Sequence, residues 1–272
     1  MRATLMVLGM VMLAVALRAS RRRMMRRMGA MAYVTASFLL VYFLTDSWLG
    51  GLAGAAMWAF MPWVELLTRI SRLRLPVENR LSRRPIPNPA YFPNASEAAM
   101  AMEEAGFDHV SDCGWDWAGM RQFFSLFWHP EERAVSAVCL CEQSDVVFAF
   151  ISITSHDGEG RIWRTTNFPF ASTLRCPPEV SWNHVPCGKK CFHEILRDHR
   201  AYLEMKKIPL HELRIPDPER IEESVEEEMR RQIQHNLACG IIKHAGDGHF
   251  RYSTRGLLFL WGQYLKDMVR FC

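Results

Sequence analysis

Cys187, Cys191 and His193 fall within the short stretch CGKKCFH, with Cys176 upstream. Thiolate and imidazole at such spacing are zinc-ligand chemistry. A closed site takes four ligands, and no second CxxC or HxxxH is present to complete one. No metal and no cofactor is therefore expected. A second group, His156, Asp157, Glu159 and Arg161, lies in SHDGEGR. An imidazole beside carboxylates can exchange protons in a hydrolysis, but Asp-Gly between two apolar runs is first of all a hairpin turn. Glu194 and Asp198 stand four apart on one helix face, flanked by Lys190 and Arg197. His199 lies on the apolar stripe of that helix and reads as a hydrogen-bonded core residue. Neither a G-x-S-x-G elbow, a phosphate loop nor a dinucleotide glycine fingerprint occurs. The sequence leans away from an enzyme. A site assembled from distant residues, near His156 or Cys187, stays open.

The elements that would carry these residues begin after residue 95. SEAAMAMEEAGF (96–107) places Ser96 at an N-cap and Gly106 at the stop of a helix. The runs 120–129, 133–142, 146–154 and 161–168 are rich in β-branched and aromatic residues and are separated by turn chemistry. Short connections demand antiparallel neighbours, so a meander of four or five strands is expected, one face covered by helices. Helical spacing returns at 191–207, 219–240 and 255–270. In 219–240 acids come early and arginines late, which suits the helix dipole. Eight cysteines are scattered, several among apolar residues, where a free thiol acts as a small hydrophobe. This fits a reducing compartment.

The N-terminal third is of another kind. Residues 1–86 hold thirteen Arg, no Lys and three acids, a net of +10, which leaves −6 for the rest of a chain of net +4. A basic, greasy part joined to an acidic, polar part suggests a membrane anchor and a soluble domain. Residues 4–17 are apolar but reach only about 21 Å as a helix, short of the ~30 Å hydrocarbon core. Arg18, Arg21, Arg22, Arg23, Arg26 and Arg27 follow at once. From Met31 to Leu67 the only charges are Asp46 and Glu65. Split at TDSWLGG (45–51), this stretch gives a hairpin with spans at about 30–46 and 49–67. Arginines crowd again beyond it, at Arg69, Arg72, Arg74, Arg80, Arg83 and Arg84. Lys and Arg are enriched in cytoplasmic loops, and both ends of a hairpin lie on one side. The predicted topology puts both clusters, and all that follows, on the cytoplasmic side of the inner membrane.

Small residues recur along the returning span at Gly50, Gly51, Gly54, Ala55 and Ala59. Such ridges let helices approach closely, within the hairpin or between two copies in a homo-oligomer. Residues 68–94 read as a linker, basic and then proline-rich. Near the other end, LACGIIKHAGDGHFRYSTRG (237–256) resembles the wing of winged-helix DNA-binding domains: a helix with a glycine stop, an apolar pair, a polar turn, then Tyr-Ser-Thr-Arg-Gly entering another helix. The resemblance implies a winged module at the end of the domain. The would-be recognition helix carries Glu222, Glu223, Glu226, Glu227 and Glu228, which phosphates repel. A structural or protein-binding use is favoured over nucleic acid. The expected whole is an α+β protein. It has an anchor (1–67), a linker (68–94) and a cytoplasmic domain (95–272) that is strand-rich over 120–168 and helix-rich over 191–272. Its expected work is interaction, as adaptor or sensor, with the bilayer and a protein as partners. A membrane-tethered DNA-binding regulator and a membrane-anchored enzyme are the alternatives.

Overall fold

A computed structural model describes residues 2–20, 23–87, 92–117, 119–143, 146–188 and 191–270. The helices are α1 (Arg2–Arg18), α2 (Arg23–Thr45), α3 (Trp48–Thr68), α4 (Pro93–Glu104), α5 (Phe192–Met205), α6 (Ile221–Ala238) and α7 (Thr254–Arg270). The strands are β1 (Leu75–Pro76), β2 (Ser82–Arg83), β3 (Asp108–Trp117), β4 (Met120–His129), β5 (Ala134–Gln143), β6 (Val146–His156), β7 (Ile162–Thr166), β8 (Val180–His184), β9 (Ile242–Gly246) and β10 (His249–Tyr252). The protein is mixed helix and sheet. The chain divides into two compact units, one of Met1–Leu73, Phe170–Thr173 and Tyr252–Phe271, the other holding both sheets. The sequence boundaries differ from these, since α7 groups with α1, α2 and α3.

In the helical unit, the apolar run is split by only two residues. Asp46 takes φ +52, the left-handed conformation that short polar side chains tolerate, and Ser47 precedes α3. Gly50 and Gly51, within the TDSWLGG split, are already helical. α2 starts at Arg23, a full two turns before the expected span, so Arg23, Arg26 and Arg27 belong to its first turns. Arg21 and Arg22 lie outside the described residues. Among the described residues one helix, Met24–Thr45, is long and apolar enough to cross a membrane, with mean hydropathy 1.6. α3 is diluted by Trp48, Trp58, Trp63, Pro62 and Glu65.

The second unit is built on a seven-stranded sheet of order β2-β3-β4-β5-β6-β7-β8. The pairs are antiparallel from β2 to β7, and β8 joins β7 in parallel. The expected meander is thus present as β3 to β7 and extended at both edges. β3 escaped the sequence reading because HVSDCGWDW mixes acids and glycine with its aromatics. Two-residue strands such as β1 and β2, inside the stretch read as a linker, exist only through their partners: β1 pairs β10, and β2 pairs β3. α4 begins at Pro93, a good first-turn residue, with Phe92 rather than Ser96 as cap.

One sheet face packs under α4 and α5. Phe123, Phe127, Val138, Leu140, Ile151 and Ile153 alternate inward along β4, β5 and β6 to meet Met102, Phe192, Ile195 and Leu196. The other face carries Leu126 with Cys113 against Ile221 of α6. A second, three-stranded sheet of order β1-β10-β9 follows α6.

Candidate functional site

On the α6 side, alternation along β6 and β7 points Thr154, His156 and Arg164 the same way. α6 lowers Glu228 onto them. His156 Nε2 is 2.9 Å from Glu228 Oε1, and Arg164 Nη2 donates to Glu228 Oε2. Arg164 Nε also donates to Thr154 Oγ1 at 2.9 Å, and its guanidinium lies 5.2 Å from the centre of the Trp182 ring. The Trp182 indole donates to Cys176 Sγ at 2.7 Å and stacks on His184 at 5.3 Å. Burial alone would push the Glu228 carboxyl up, but the Arg164 charge and the His156 hydrogen bond outweigh it and hold it at about 2. So acidic a carboxyl is a poor general base at neutral pH. Nothing described places a hydroxyl or thiol nucleophile against His156. The cluster does what a clamp does, fixing α6 to the sheet by charge.

His199 of α5 sits on the opposite face, 2% exposed. Its Nε2 is 3.1 Å from Ser155 Oγ and its Nδ1 2.9 Å from Thr165 Oγ1. Burial pushes the imidazole down to about 4, the Glu132 charge opposing. A neutral ring has one donor and one acceptor nitrogen, and the two hydroxyls satisfy both. Asp157 is buried in its turn, where Oδ1 accepts from the amides of Glu159 and Arg161 and Oδ2 from Arg161 Nε. Burial pushes this carboxyl up, while Arg161 and the two amides bring it below its usual value. Both its oxygens serve the turn.

The zinc candidates do not assemble. Cys187 is disulfide-bonded, a departure from the expectation of free thiols, Cys191 stands at the N-cap of α5 as an exposed thiol and His193 points to solvent. Among the described residues no three His, Cys, Asp or Glu gather as a metal site. A cleft of about 120 Å³ opens between Glu78, Asn79, Arg80, Glu226 and Arg230. It is polar and well below the 300–1,000 Å³ of usual ligand pockets.

In the helical unit the small residues have separate neighbours. A Cβ on Gly51 would lie 2.6 Å from the Phe38 ring, and one on Gly54 2.7 Å from Val41 and 2.8 Å from Ser37 O, so both mark the close approach of α3 to α2. Gly50 abuts Thr45 at the end of α2, and Ala55 is half-buried. Ala59 meets α7: the Trp261 indole donates to Ala59 O at 2.6 Å, with the Trp63 and Trp261 rings 6.1 Å apart. Pro62 withholds the amide that would serve the carbonyl four residues back, yet α3 runs on through it as helix. Trp58 donates across to Ser37 Oγ at 2.7 Å. Arg69 is 3.8 Å from Glu65, and Arg72 and Arg74 are exposed. Sequence reasoning missed Gly29, whose Cβ would lie 3.0 Å from Ala14 O of α1. It also missed Trp261, whose partner is some two hundred residues away. Comparison with protein families, curated proteins and solved structures gave no match for this chain.

Proposed function

We propose that this is an integral protein of the cytoplasmic membrane whose α+β unit serves there as an interaction module, an adaptor or sensor. In this reading α2 and α3 cross the bilayer as a hairpin, and the arginines at 18–27 and 69–74 hold both ends on the cytoplasmic side. The observation that carries it is α2. Its apolar stretch of 22 residues spans about 33 Å, and only 17% of its most apolar window is buried. A core helix of a water-soluble protein buries most of such a surface. α3 supports the same reading, with Leu49 75% and Val64 68% exposed. Apolar surface of that extent seeks lipid.

The winged-helix resemblance fits this role as a protein-contact element, since α6 is followed by the β9–β10 hairpin. A nucleic-acid role is disfavoured because Arg230 and Arg231 both pair with Glu227 on α6. An enzyme is disfavoured because His156 and Glu228 are consumed by the clamp. The test is extraction of membranes with alkaline carbonate, together with protease added to intact cells. The expected result is a pellet-bound chain whose α+β unit is cut only after lysis. Release by carbonate, or digestion from outside, rules the reading out.

A further inference from the structure

Between Arg2 and Arg18 helix α1 holds no charged residue, and Thr4 is its single polar side chain. A helix lying in the headgroup layer turns a charged face to water, and α1 has none to turn. Apolar residues on every side mark a helix that is either buried in protein or immersed in lipid. The two sides of α1 have different surroundings. Ala3, Val7, Met10, Val11, Ala14 and Leu17 recur at helical spacing and are buried or half-buried, one stripe that runs the length of the helix. On the other side Leu5, Met6, Leu8, Met12, Leu13 and Val15 are exposed, Met12 by 65% and Leu5 by 60%.

The buried stripe belongs to the contact with α2. A Cβ on Gly29 would lie 2.7 Å from Arg18 Cγ and 3.0 Å from Ala14 O, and Ala32 and Ala36, buried, continue the Gly29 face of α2. Four residues join α1 to α2, a reach of at most about 17 Å. A parallel neighbour would need the full length of α1, about 25 Å, so α2 runs back along it. With Ala14 level with Gly29, equal rise puts Arg2 level with Val41, four residues or about 6 Å short of Thr45, where α2 ends. We propose that α1 is a third membrane crossing, packed on α2 and covered by acyl chains along its outer face, with Arg2 on the side opposite the arginine block. The inference rests on the hairpin reading above: where α2 crosses, a helix packed along it goes nearly as deep. By length alone α1 falls short of the hydrocarbon core. The arginines at its two ends snorkel to the headgroups, and the bilayer thins over the remaining gap. One cation at the far end against six at 18–27 keeps the charge bias of the topology. The outer face presents mostly large side chains, whereas helix pairing in lipid uses small or polar ones, so acyl chains rather than a second helix are its occupant.

The test uses the full chain produced in cells, with the single substitutions Ala3→Cys, Ala19→Cys and Ser47→Cys. A membrane-impermeant maleimide is added, and labelling is read as the excess over the wild-type chain. In intact cells Ala3→Cys and Ser47→Cys are expected to label at least fivefold more than Ala19→Cys, and lysis should bring all three level. Ala3→Cys labelled only after lysis, or a membrane-bound chain that lacks residues 1–17, overturns the third crossing; Ser47→Cys labelled from outside then keeps the hairpin. Ser47→Cys labelled only after lysis removes the hairpin reading and this inference with it. In a fourth variant a photo-cross-linking benzoylphenylalanine replaces Leu8. Lipid adducts are expected there, and coupling to a second copy or to another membrane protein overturns the lipid-covered face.

Discussion

Burial keeps His199 neutral, while Glu228 stays charged in spite of burial, and both make acid destabilising. His199 is kept neutral down to about pH 4, whereas in an unfolded chain it takes up a proton near 6.5. Between those values the unfolded state binds more protons, so stability falls as pH drops from 6.5 to 4. Glu228 stays ionised to about 2 against a reference of 4.5. Its contribution is present above 4.5 and is lost as pH falls toward 2. Each is worth at most about 3 kcal/mol. We expect the thermal midpoint of the detergent-solubilised chain to decline in two stages. His199→Asn should remove the upper stage. Glu228→Gln should remove the lower and also weaken the protein at pH 7, because Arg164 is left half-buried without its counter-charge. A wild-type midpoint that is flat from pH 7 to 4.5 contradicts the assignment of His199. Of these residues the sequence exposed only part. His199 was visible on an apolar stripe and His156 in a polar turn. Glu228 is 72 residues from His156 and 64 from Arg164, and no local spacing announces a pair that only strand alternation and helix docking bring together.

Helix α3 shows what patterning can and cannot reveal about an element. Its glycines stood out as a ridge, because small residues four apart share a helix face. Which neighbour each one meets depends on tertiary packing. Strands β4 to β7 and helices α4, α5 and α6 were legible from period and punctuation, with Gly106 (φ +87) stopping α4 and Gly240 (φ +68) stopping α6 in the left-handed conformation that glycine adopts freely. β1 and β2 were not, because two residues carry no period. The close approach at Gly54 gives a direct check. Gly54→Leu must push apart Val41 and the Ser37 carbonyl, the latter being backbone that cannot swing aside. The expected cost is about 1–3 kcal/mol, read as a lower unfolding midpoint in detergent. Gly9→Leu on α1 meets nothing within 4 Å and should leave the midpoint unchanged or slightly raised by the better helix propensity. Equal effects at the two positions would mean that α2 and α3 are not packed through this stripe.

At the scale of the molecule, the last quarter of the chain returns to partners that precede it. α6 reaches back through Glu228 to Arg164 and His156. β10 pairs with β1, placing Phe250 opposite Leu75. Asn236 Oδ1 accepts from the Arg175 amide, while its Nδ2 donates to the Arg175 carbonyl. α7 donates from Trp261 to Ala59 O and takes the Ala171 amide on Asp267. These contacts are buried or half-buried and fall in both compact units. The connection that leads into them is open: Met205, Lys206 and Lys207 are exposed, and Lys207 sits at φ +59 after the end of α5. A cut there removes no long-range contact. A specific protease site placed at Lys206–Lys207 should therefore yield two fragments that elute together from a sizing column in detergent and part only in denaturant. The second fragment, about 65 residues without the central sheet strands, is too short to keep a core alone, so its retention would report those contacts directly. If it leaves the first fragment on cleavage under native conditions, the pairings of β10 with β1 and of Trp261 with Ala59 do not hold the molecule together.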